Sequence, residues 1–465
     1  MRPVSRKIIE EEFLMADKSL EHCWALLTDL KEFSLKAENF VERFITFQDT
    51  LASTIFRLQT IRDQIIAEEK VIVGNKPKYK ADWFVNRLRI LARYKKGIDL
   101  IVSMAKAQGD AYAYFFYQND LALLSEHLGH ERVINHTAGI GERGELEFLK
   151  NVKQIEGNFT LFHGITNILR YGDFSFIDLK ALKVVHVGEL KTSQIDHETL
   201  DLNLHLLKRK DAEISPPKLP LTNPEMEKTR RGRQLMGIAN FLIRGRKLTD
   251  PSTELVNQSY AKEVNNLVKN TRMDAINLVQ TSPGVAFCCI KFRSASLFTR
   301  IFKREYQDLA AMSGGKLAET AVKLVKKGSK NNGIIIGQLL YNPDFSDKNT
   351  PGTVPIFWNP MDNAVLKRIY FIDCAIISLF NPAHLIEELI DMGFSVESNY
   401  APKAKIPTSR GKVIRQFDLF ISYIMNYLLT ESFVTDAVKE AVEYAEGKPF
   451  AQVSIRLQQH VDILK

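Results

Sequence analysis

The chain has 465 residues, 45% of them hydrophobic, which is enough for two or three domains with their own cores and excludes an intrinsically disordered protein. Its formal net charge of +8 suits a polyanionic partner, but the excess is modest for this length, so charge alone does not indicate nucleic acid. The N-terminus lacks the apolar segment of a signal peptide and no apolar run is long enough to span a bilayer, so a cytoplasmic protein without a membrane partner is expected.

Two classes of site are excluded by their missing motifs. There is no G-x-x-x-x-G-K-[ST] phosphate loop for ATP hydrolysis and no G-x-S-x-G nucleophile elbow. The four cysteines lack the paired spacing of a zinc site and are expected to be buried thiols in a reducing compartment. Scattered histidines such as His163 and His186 are assigned to the core or to a strand surface.

Residues 1–130 are predicted to be almost entirely helical, because no proline lies between Pro3 and Pro77 and apolar residues recur at helical spacing. The recurring residues are Leu20, Trp24, Leu27 and Leu30, followed by Leu51, Ile55, Leu58, Ile61 and Ile65. The region is expected to form a helical bundle or hairpin that serves in oligomerisation or in docking a partner or nucleic acid. Its aromatic stretch DAYAYFFYQND, at 110–120, is assigned to the core rather than to a base-stacking platform.

A stripe of apolar residues predicts an amphipathic helix that begins near residue 140. The stripe consists of Phe148, Leu149, Val152 and Ile155. Three glutamates, Glu142, Glu145 and Glu147, crowd the first turns, where the helix dipole stabilises negative charge. Glu145 comes three and four residues before Phe148 and Leu149, so it is expected to share their inward face.

Three strands are predicted next, with a short polar turn between the last two. They correspond to the segments FTLFHGIT, FSFIDL and VVHVGELK. In the last strand Glu189 and Lys191 are two residues apart, so they lie on one face while Leu190 faces the other. Charged groups at the end of a valine-rich strand are costly to desolvate unless they are paired, hydrogen-bonded or bound to a metal.

An acidic residue before one strand and Glu-x-Lys at the end of the next resemble the core motif of the PD-(D/E)XK nuclease superfamily. The matching positions are Asp173, Glu189 and Lys191, with Gly172 in place of the motif's leading proline. The resemblance implies that Asp173 and Glu189, with the backbone carbonyl of Leu190, hold Mg²⁺ or Mn²⁺, while Lys191 orients or activates the attacking water. Hard oxygen ligands that leave positions open on such a cation suit phosphodiester hydrolysis.

Two further residues acquire a role from the same resemblance. In similar nucleases a carboxylate from the preceding helix often completes the metal site, a role that would fall to Glu145. In the RecB-like branch a glutamine on the helix after the hairpin helps to orient the active site, a role that would fall to Gln234. The alternatives are that Glu145 complements the helix dipole and that Gln234 is a polar residue on a helix surface.

The same later helix is rich in arginine, which binds phosphate oxygens with two parallel hydrogen bonds. The candidate nucleic-acid-binding residues are Arg230, Arg231, Arg233, Arg244 and Arg246. The alternative is a solvated helix face. Before this helix, the proline-rich residues 211–224 are predicted to form an extended surface loop that could gate substrate.

The predicted fold class is mixed α+β. A helical region at 1–130 is followed by a restriction-endonuclease-like αβββα core at 131–295 and an α/β C-terminal extension at 296–465. The apolar run GVAFCCIKF, at 284–292, is assigned as the last strand of the nuclease sheet.

The predicted function is that of a metal-dependent endonuclease, with DNA favoured over RNA as the substrate. The architecture is loosely similar to phage-defence nucleases of the Shedu type, which implies a role in antiviral defence. A homo-oligomer or a partner protein is expected through the helical N-terminal region. One alternative is a catalytically inactive nuclease fold that binds nucleic acid or protein in a larger assembly. Another is a scaffold built on the helical region, in which Glu189 and Lys191 form an exposed ion pair.

Overall fold

The computed structural model describes a large part of the chain. The described residues are 3–31, 40–117, 120, 123–124, 127, 139–195, 199–208, 259–293, 295–302, 315, 317–326, 334–341, 355–359, 361–396, 413–414, 417–436 and 438. Among them the protein is mixed α+β, with a helical N-terminal region followed by mainly antiparallel sheets. This confirms the predicted mixed α+β fold class.

Three long helices form the N-terminal region. They are α1 (Arg6–Lys31), α2 (Phe40–Gly74) and α3 (Ala81–Tyr117). The apolar residues that predicted helices in α1 and α2 are all buried, as an amphipathic stripe facing a core should be. A turn of 3₁₀-helix at Lys76–Lys78, which contains Pro77, separates α2 from α3 because proline cannot continue a helix interior.

The second half of α3 lies inside the protein. Every residue from Met104 to Tyr117 is buried, so this segment is surrounded on all sides rather than along one stripe. The aromatic stretch at its end is therefore core, as the sequence predicted. A helix buried on all sides also carries its few polar side chains into the interior.

The first sheet has five strands in the order β1-β2-β3-β4-β5, and every neighbouring pair is antiparallel. It follows α4 (Ile140–Asn151), which begins where the sequence predicted. The strands are β1 (Gln154–Ile155), β2 (Asn158–Phe162), β3 (Phe174–Asp178), β4 (Lys183–Gln194) and β5 (Leu200–Lys208). The predicted order of helix, strand and hairpin is thus present, and β5 adds a strand beyond the hairpin.

The second sheet has four strands in the order β6-β7-β9-β8. The remaining described elements are α5 (Ala261–Asn270), β6 (Ala275–Gln280), β7 (Val285–Lys291), α6 (Leu297–Phe302), β8 (Ile336–Leu339), α7 (Asn363–Tyr370), β9 (Cys374–Phe380), α8 (Pro382–Asp391), β10 (Ser395–Val396), β11 (Val413–Ile414) and α9 (Asp418–Tyr427). Because β7 pairs with β6 and β9, its assignment to the first sheet was wrong. Apolarity predicted a fully buried strand, but it could not specify the partner.

One continuous apolar core joins the three regions. It contains buried residues of the N-terminal helices, of the first sheet and of the second sheet. Trp358 donates its indole N–H to the Ala111 carbonyl at 3.0 Å, and Lys31 donates to the carbonyls of Phe357 and Asn359 at 3.0 and 3.1 Å. The domain boundaries at 130 and 295 stay predictions.

Several predicted features can be placed only in part. All four cysteines are free and buried, as the sequence predicted. Within the described residues, no helix combines the length and the apolar character that crossing a bilayer requires. Gln234, the five arginines and the loop at 211–224 lie outside the described residues.

Candidate active site

Glu189 and Lys191 lie side by side on β4, an inner strand between β3 and β5. Their side chains are 54% and 64% exposed, whereas Leu190 between them is buried, as the alternation of a strand requires. The Lys191 amine donates to a carboxylate oxygen of Glu189. The predicted common face is confirmed, and the ion pair foreseen by the alternative interpretation is also present.

The two charges do not stand at the end of the strand. β4 continues to Gln194 because β5 pairs with it from His186 to Gln194, with Glu189 opposite His205 and Lys191 opposite Asn203. The sequence indicated an end here because the valine-rich run stops at Gly188. Backbone hydrogen bonds to a neighbouring strand extend β4 beyond its apolar part.

Asp173 comes into contact with this part of β4. Its backbone N–H donates to the Gly188 carbonyl at 2.8 Å, and its Oδ2 accepts the Leu190 N–H at 2.7 Å. The N–H and C=O of one strand residue point to the same side of the strand, so the Leu190 carbonyl is directed towards the Asp173 side as well. The structure therefore brings together the acidic residue and the Glu-x-Lys segment, which are 16 residues apart in sequence.

Gly172 forms the turn that presents Asp173. Its φ of +69° lies in the left-handed region, which glycine adopts without steric cost. A Cβ atom at this position would lie 2.7 Å from Val187 Cγ1 and 2.9 Å from the Gly188 carbonyl oxygen. Proline, whose φ is locked near −65°, could not occupy this position.

Glu145 approaches the same place from α4. The helix lies so close to β4 at Gly144 that a Cβ atom there would be 2.0 Å from Thr192 Oγ1. The pKa of Glu145 is raised to about 8, mainly by burial and also by the negative charges of Asp173 and Glu142, while Lys106 opposes the increase. The inward orientation predicted for Glu145 is thus confirmed.

Glu142, in contrast, has a role at the start of the helix. Its carboxylate accepts the Gly139 N–H at 3.0 Å, as a residue of the first helical turn commonly does. The helix-dipole explanation therefore suits Glu142. Its negative charge also contributes to the raised pKa of Glu145.

The N-terminal helices contribute a cation that the sequence analysis missed. Lys106, on the buried half of α3, has a pKa lowered to about 8 by burial, although Asp110 and Glu145 oppose the decrease. Asp110, one turn later, has a pKa raised to about 6 by burial. Charged residues four apart within the otherwise apolar stretch 101–117 were a signal that could have been used.

Asp110 also supports the segment that leads to Asp173. It accepts the backbone N–H groups of Asn167 and Ile168 at 2.6 and 3.1 Å and the Asn167 amide at 3.1 Å. Gln48 of α2 similarly bonds the backbone of β2, at Thr160 and Phe162. The helical region is therefore a scaffold for the first sheet.

The donor atoms at this site suit a hard divalent cation. The carboxylates of Asp173, Glu145 and Glu189 and the Leu190 carbonyl are all oxygen ligands of the kind that Mg²⁺ and Mn²⁺ take. Within the described part of the chain, no group of three or more His, Cys, Asp or Glu side chains is already gathered closely enough to hold a metal ion. The fit therefore rests on the types of the donor groups and on the contact of Asp173 with β4.

The structure brings Asp173 into contact with the segment that carries Glu189 and Lys191, and it places Glu145 within electrostatic reach of Asp173 and Lys106. Comparison of the chain with family models, with curated proteins and with solved structures gives no significant match.

Proposed function

We propose that the protein is a metal-dependent nuclease that hydrolyses phosphodiester bonds through the site at Asp173. The observation that carries this proposal is the 2.7 Å hydrogen bond from the Leu190 N–H to Asp173 Oδ2, which joins the acidic residue to the Glu-x-Lys segment. The order of α4, β2, β3 and β4 supports a restriction-endonuclease-like core, in which such a helix precedes three antiparallel strands.

Each residue has a defined task in this proposal. Asp173, Glu189 and Glu145 would hold Mg²⁺ or Mn²⁺ with the Leu190 carbonyl, and such a cation would supply positive charge against the charge that develops on the phosphate. Lys191 orients or activates water and stabilises that charge, which requires its amine to leave Glu189. An exposed ion pair is worth about 1 kcal/mol or less, so its opening is a small cost.

Lys106 belongs to this site as a source of fixed positive charge. Its amine is buried and electrostatically coupled to Glu145, and both residues have strongly shifted pKa values. Opposite shifts within one pocket are typical of functional sites. We assign Lys106 to lowering the pKa of Glu145 against the burial that raises it.

A second candidate function is an inactive nuclease fold that binds nucleic acid or protein. The observation in its favour is the Glu189–Lys191 ion pair itself, because it occupies both side chains on an exposed strand face. Under this function neither residue needs a metal. Removing either charge would then change binding and stability little.

The wider setting is also a proposal. DNA is the favoured substrate, and a role in antiviral defence is proposed from the loose similarity to nucleases of the Shedu type. A cytoplasmic location is part of the same proposal. The net charge of +8 suits a nucleic-acid partner. A homo-oligomer or a partner protein would dock through the helical region.

The test is incubation of the purified chain with plasmid, linear and single-stranded DNA and with RNA, each with Mg²⁺, Mn²⁺ or EDTA. Cleavage that depends on the cation and stops with EDTA is the expected result. Binding without cleavage under every condition would favour the second candidate. The substrate that is cut separates DNA from RNA.

The arginines at 230–246 are expected to bind phosphate independently of sequence. Changing Arg231 and Arg233 together to Gln should weaken DNA binding and reduce the slope of log K against log salt by about 2, because two fewer contacts release counterions. Binding would be measured by fluorescence anisotropy from 50 to 200 mM salt. An unchanged slope would assign both residues to a solvated helix face.

A further inference from the structure

Four buried polar side chains form a continuous line behind the Asp173 turn. They are Tyr117 of α3, His127, His163 and Ser175 of β3, and all four are fully shielded from solvent. Polar groups in such a position are costly unless each finds a hydrogen-bond partner. The hydrogen bonds described among them connect all four into one chain.

The chain begins and ends on neighbouring backbone groups. The Tyr171 N–H donates to His127 Nδ1 at 3.1 Å, and His127 Nε2 lies 3.0 Å from Tyr117 Oη. Tyr117 Oη lies 2.6 Å from Ser175 Oγ, which lies 2.6 Å from His163 Nε2. His163 Nδ1 then lies 3.0 Å from the Gly172 carbonyl oxygen.

With both imidazoles neutral, one direction of donation along these bonds agrees with the two backbone ends. The Tyr171 N–H can only donate, so His127 accepts at Nδ1, carries its proton on Nε2 and donates it to the Tyr117 hydroxyl. Tyr117 donates to Ser175, and Ser175 donates to His163 Nε2. The proton of His163 is then on Nδ1, where the Gly172 carbonyl accepts it, as a carbonyl must.

Both imidazoles are neutral in this arrangement. Burial lowers the pKa of His163 to about 4, which agrees with a neutral ring. The His163 backbone N–H also donates to the Asp173 carbonyl at 2.9 Å. Three hydrogen bonds therefore hold the backbone of Tyr171, Gly172 and Asp173, immediately beside the carboxylate that contacts β4.

We propose that Tyr117, His127, Ser175 and His163 are positioning residues that fix the Asp173 carboxylate for metal binding. This inference rests on the proposed function and assigns to it residues that touch neither metal nor substrate. The Gly172 turn has left-handed geometry and the Leu190 N–H donates to Asp173 Oδ2, so the carboxylate is placed by the backbone that the four side chains hold. Residues that orient a ligand commonly change metal affinity by about 10- to 100-fold.

Two substitutions of His163 separate positioning from simple stability. In His163→Asn the side-chain amide replaces Nδ1 and can still donate to the Gly172 carbonyl. In His163→Gln the longer side chain places its amide where Nε2 lies, so the hydrogen bond to the Gly172 carbonyl is lost. Both variants break the chain once, so comparable decreases in melting temperature are expected, whereas Mn²⁺ affinity should fall about 10- to 100-fold in Gln and only a few-fold in Asn.

Calorimetric titration with Mn²⁺ and thermal melting provide the two readouts. Tyr117→Phe gives a second test if a His163 variant does not fold, because it keeps the ring and removes the hydroxyl at the middle of the chain. It should also bind Mn²⁺ less tightly than the wild-type protein. The matched control is Ser378→Ala, since Ser378 is equally buried on β9 and donates to the Met425 carbonyl at 3.2 Å. The control should melt earlier with unchanged Mn²⁺ affinity.

The outcomes distinguish this inference from the proposed function. Wild-type binding of Mn²⁺ that is lost in Asp173→Asn supports the metal site. If Tyr117→Phe and both His163 variants then bind Mn²⁺ as tightly as the wild-type protein, the positioning role is overturned and the site remains. Failure of the wild-type protein to bind Mn²⁺ overturns both.

Discussion

Replacing Asp173 by Asn, or Glu189 by Gln, is expected to lower metal-dependent cleavage by about 100-fold or more while the fold survives. Each amide keeps the shape of the side chain but removes the negative charge that holds a divalent cation. Asn at 173 can still accept the Leu190 N–H through its amide oxygen, so the contact with β4 is retained. Cleavage rate, Mn²⁺ affinity and melting temperature would be measured for each variant.

Lys191→Ala is expected to fail differently from the two carboxylate variants. The ligands stay in place, so Mn²⁺ still binds and nucleic acid is held without being cut, because the lost amine acts on the water and the phosphate. Asp178→Asn, at the other end of β3, and Lys183→Ala, at the start of β4, are matched controls that should cleave normally. Full activity in Glu189→Gln would contradict the proposed active site. The wild-type Glu189–Lys191 contact would then be only an exposed ion pair worth about 1 kcal/mol at most.

A second large effect is expected from Lys106→Met, in the pH dependence of stability. Burial lowers the pKa of Lys106 from 10.5 to about 8. Below pH 8 both the folded and the unfolded wild-type chain carry the proton, so the wild-type protein bears the full cost of the buried charge. Between pH 8 and 10.5 only the unfolded chain keeps it, so the free energy of unfolding rises by on the order of 3 kcal/mol relative to the variant.

Urea unfolding of both proteins between pH 7 and 10.5 would measure this difference. Taking the difference removes the contributions of the buried tyrosines and cysteines, which both proteins share. Lys96→Met, at an exposed position of the same helix, gives the baseline for losing a lysine. A difference between Lys106→Met and wild type that stays constant with pH would show that the Lys106 amine reaches water, and it would remove Lys106 from the site.

Local pattern was sufficient to predict the helices and the hairpin. The spacing from Leu51 to Ile65 predicted a buried helix stripe, and the alternation around Leu190 predicted the common face of Glu189 and Lys191. These features depend on neighbours in sequence, because a helix or a strand presents its faces with a fixed period. The inward orientation of Glu145 followed from the same rule.

Relations between distant segments could not be obtained in this way. The apolar run at β7 predicted a buried strand but not its partners, and the extent of β4 depended on a partner strand that no local signal identified. The resemblance to a known motif proposed that Asp173 and Glu189 act together. Their proximity depends on the contact between Asp173 and the Leu190 N–H, which only the folded chain displays.

The sequence by itself therefore determined the types of element, the buried faces and the chemistry of the candidate residues. Only the tertiary structure decided that α3 carries Lys106 towards Glu145 and that Tyr117 and His127 connect to the turn before Asp173. The physical reason is that burial and hydrogen bonding between segments far apart in sequence depend on packing. A lysine or a histidine in a helical pattern looks the same whether it faces water or the core.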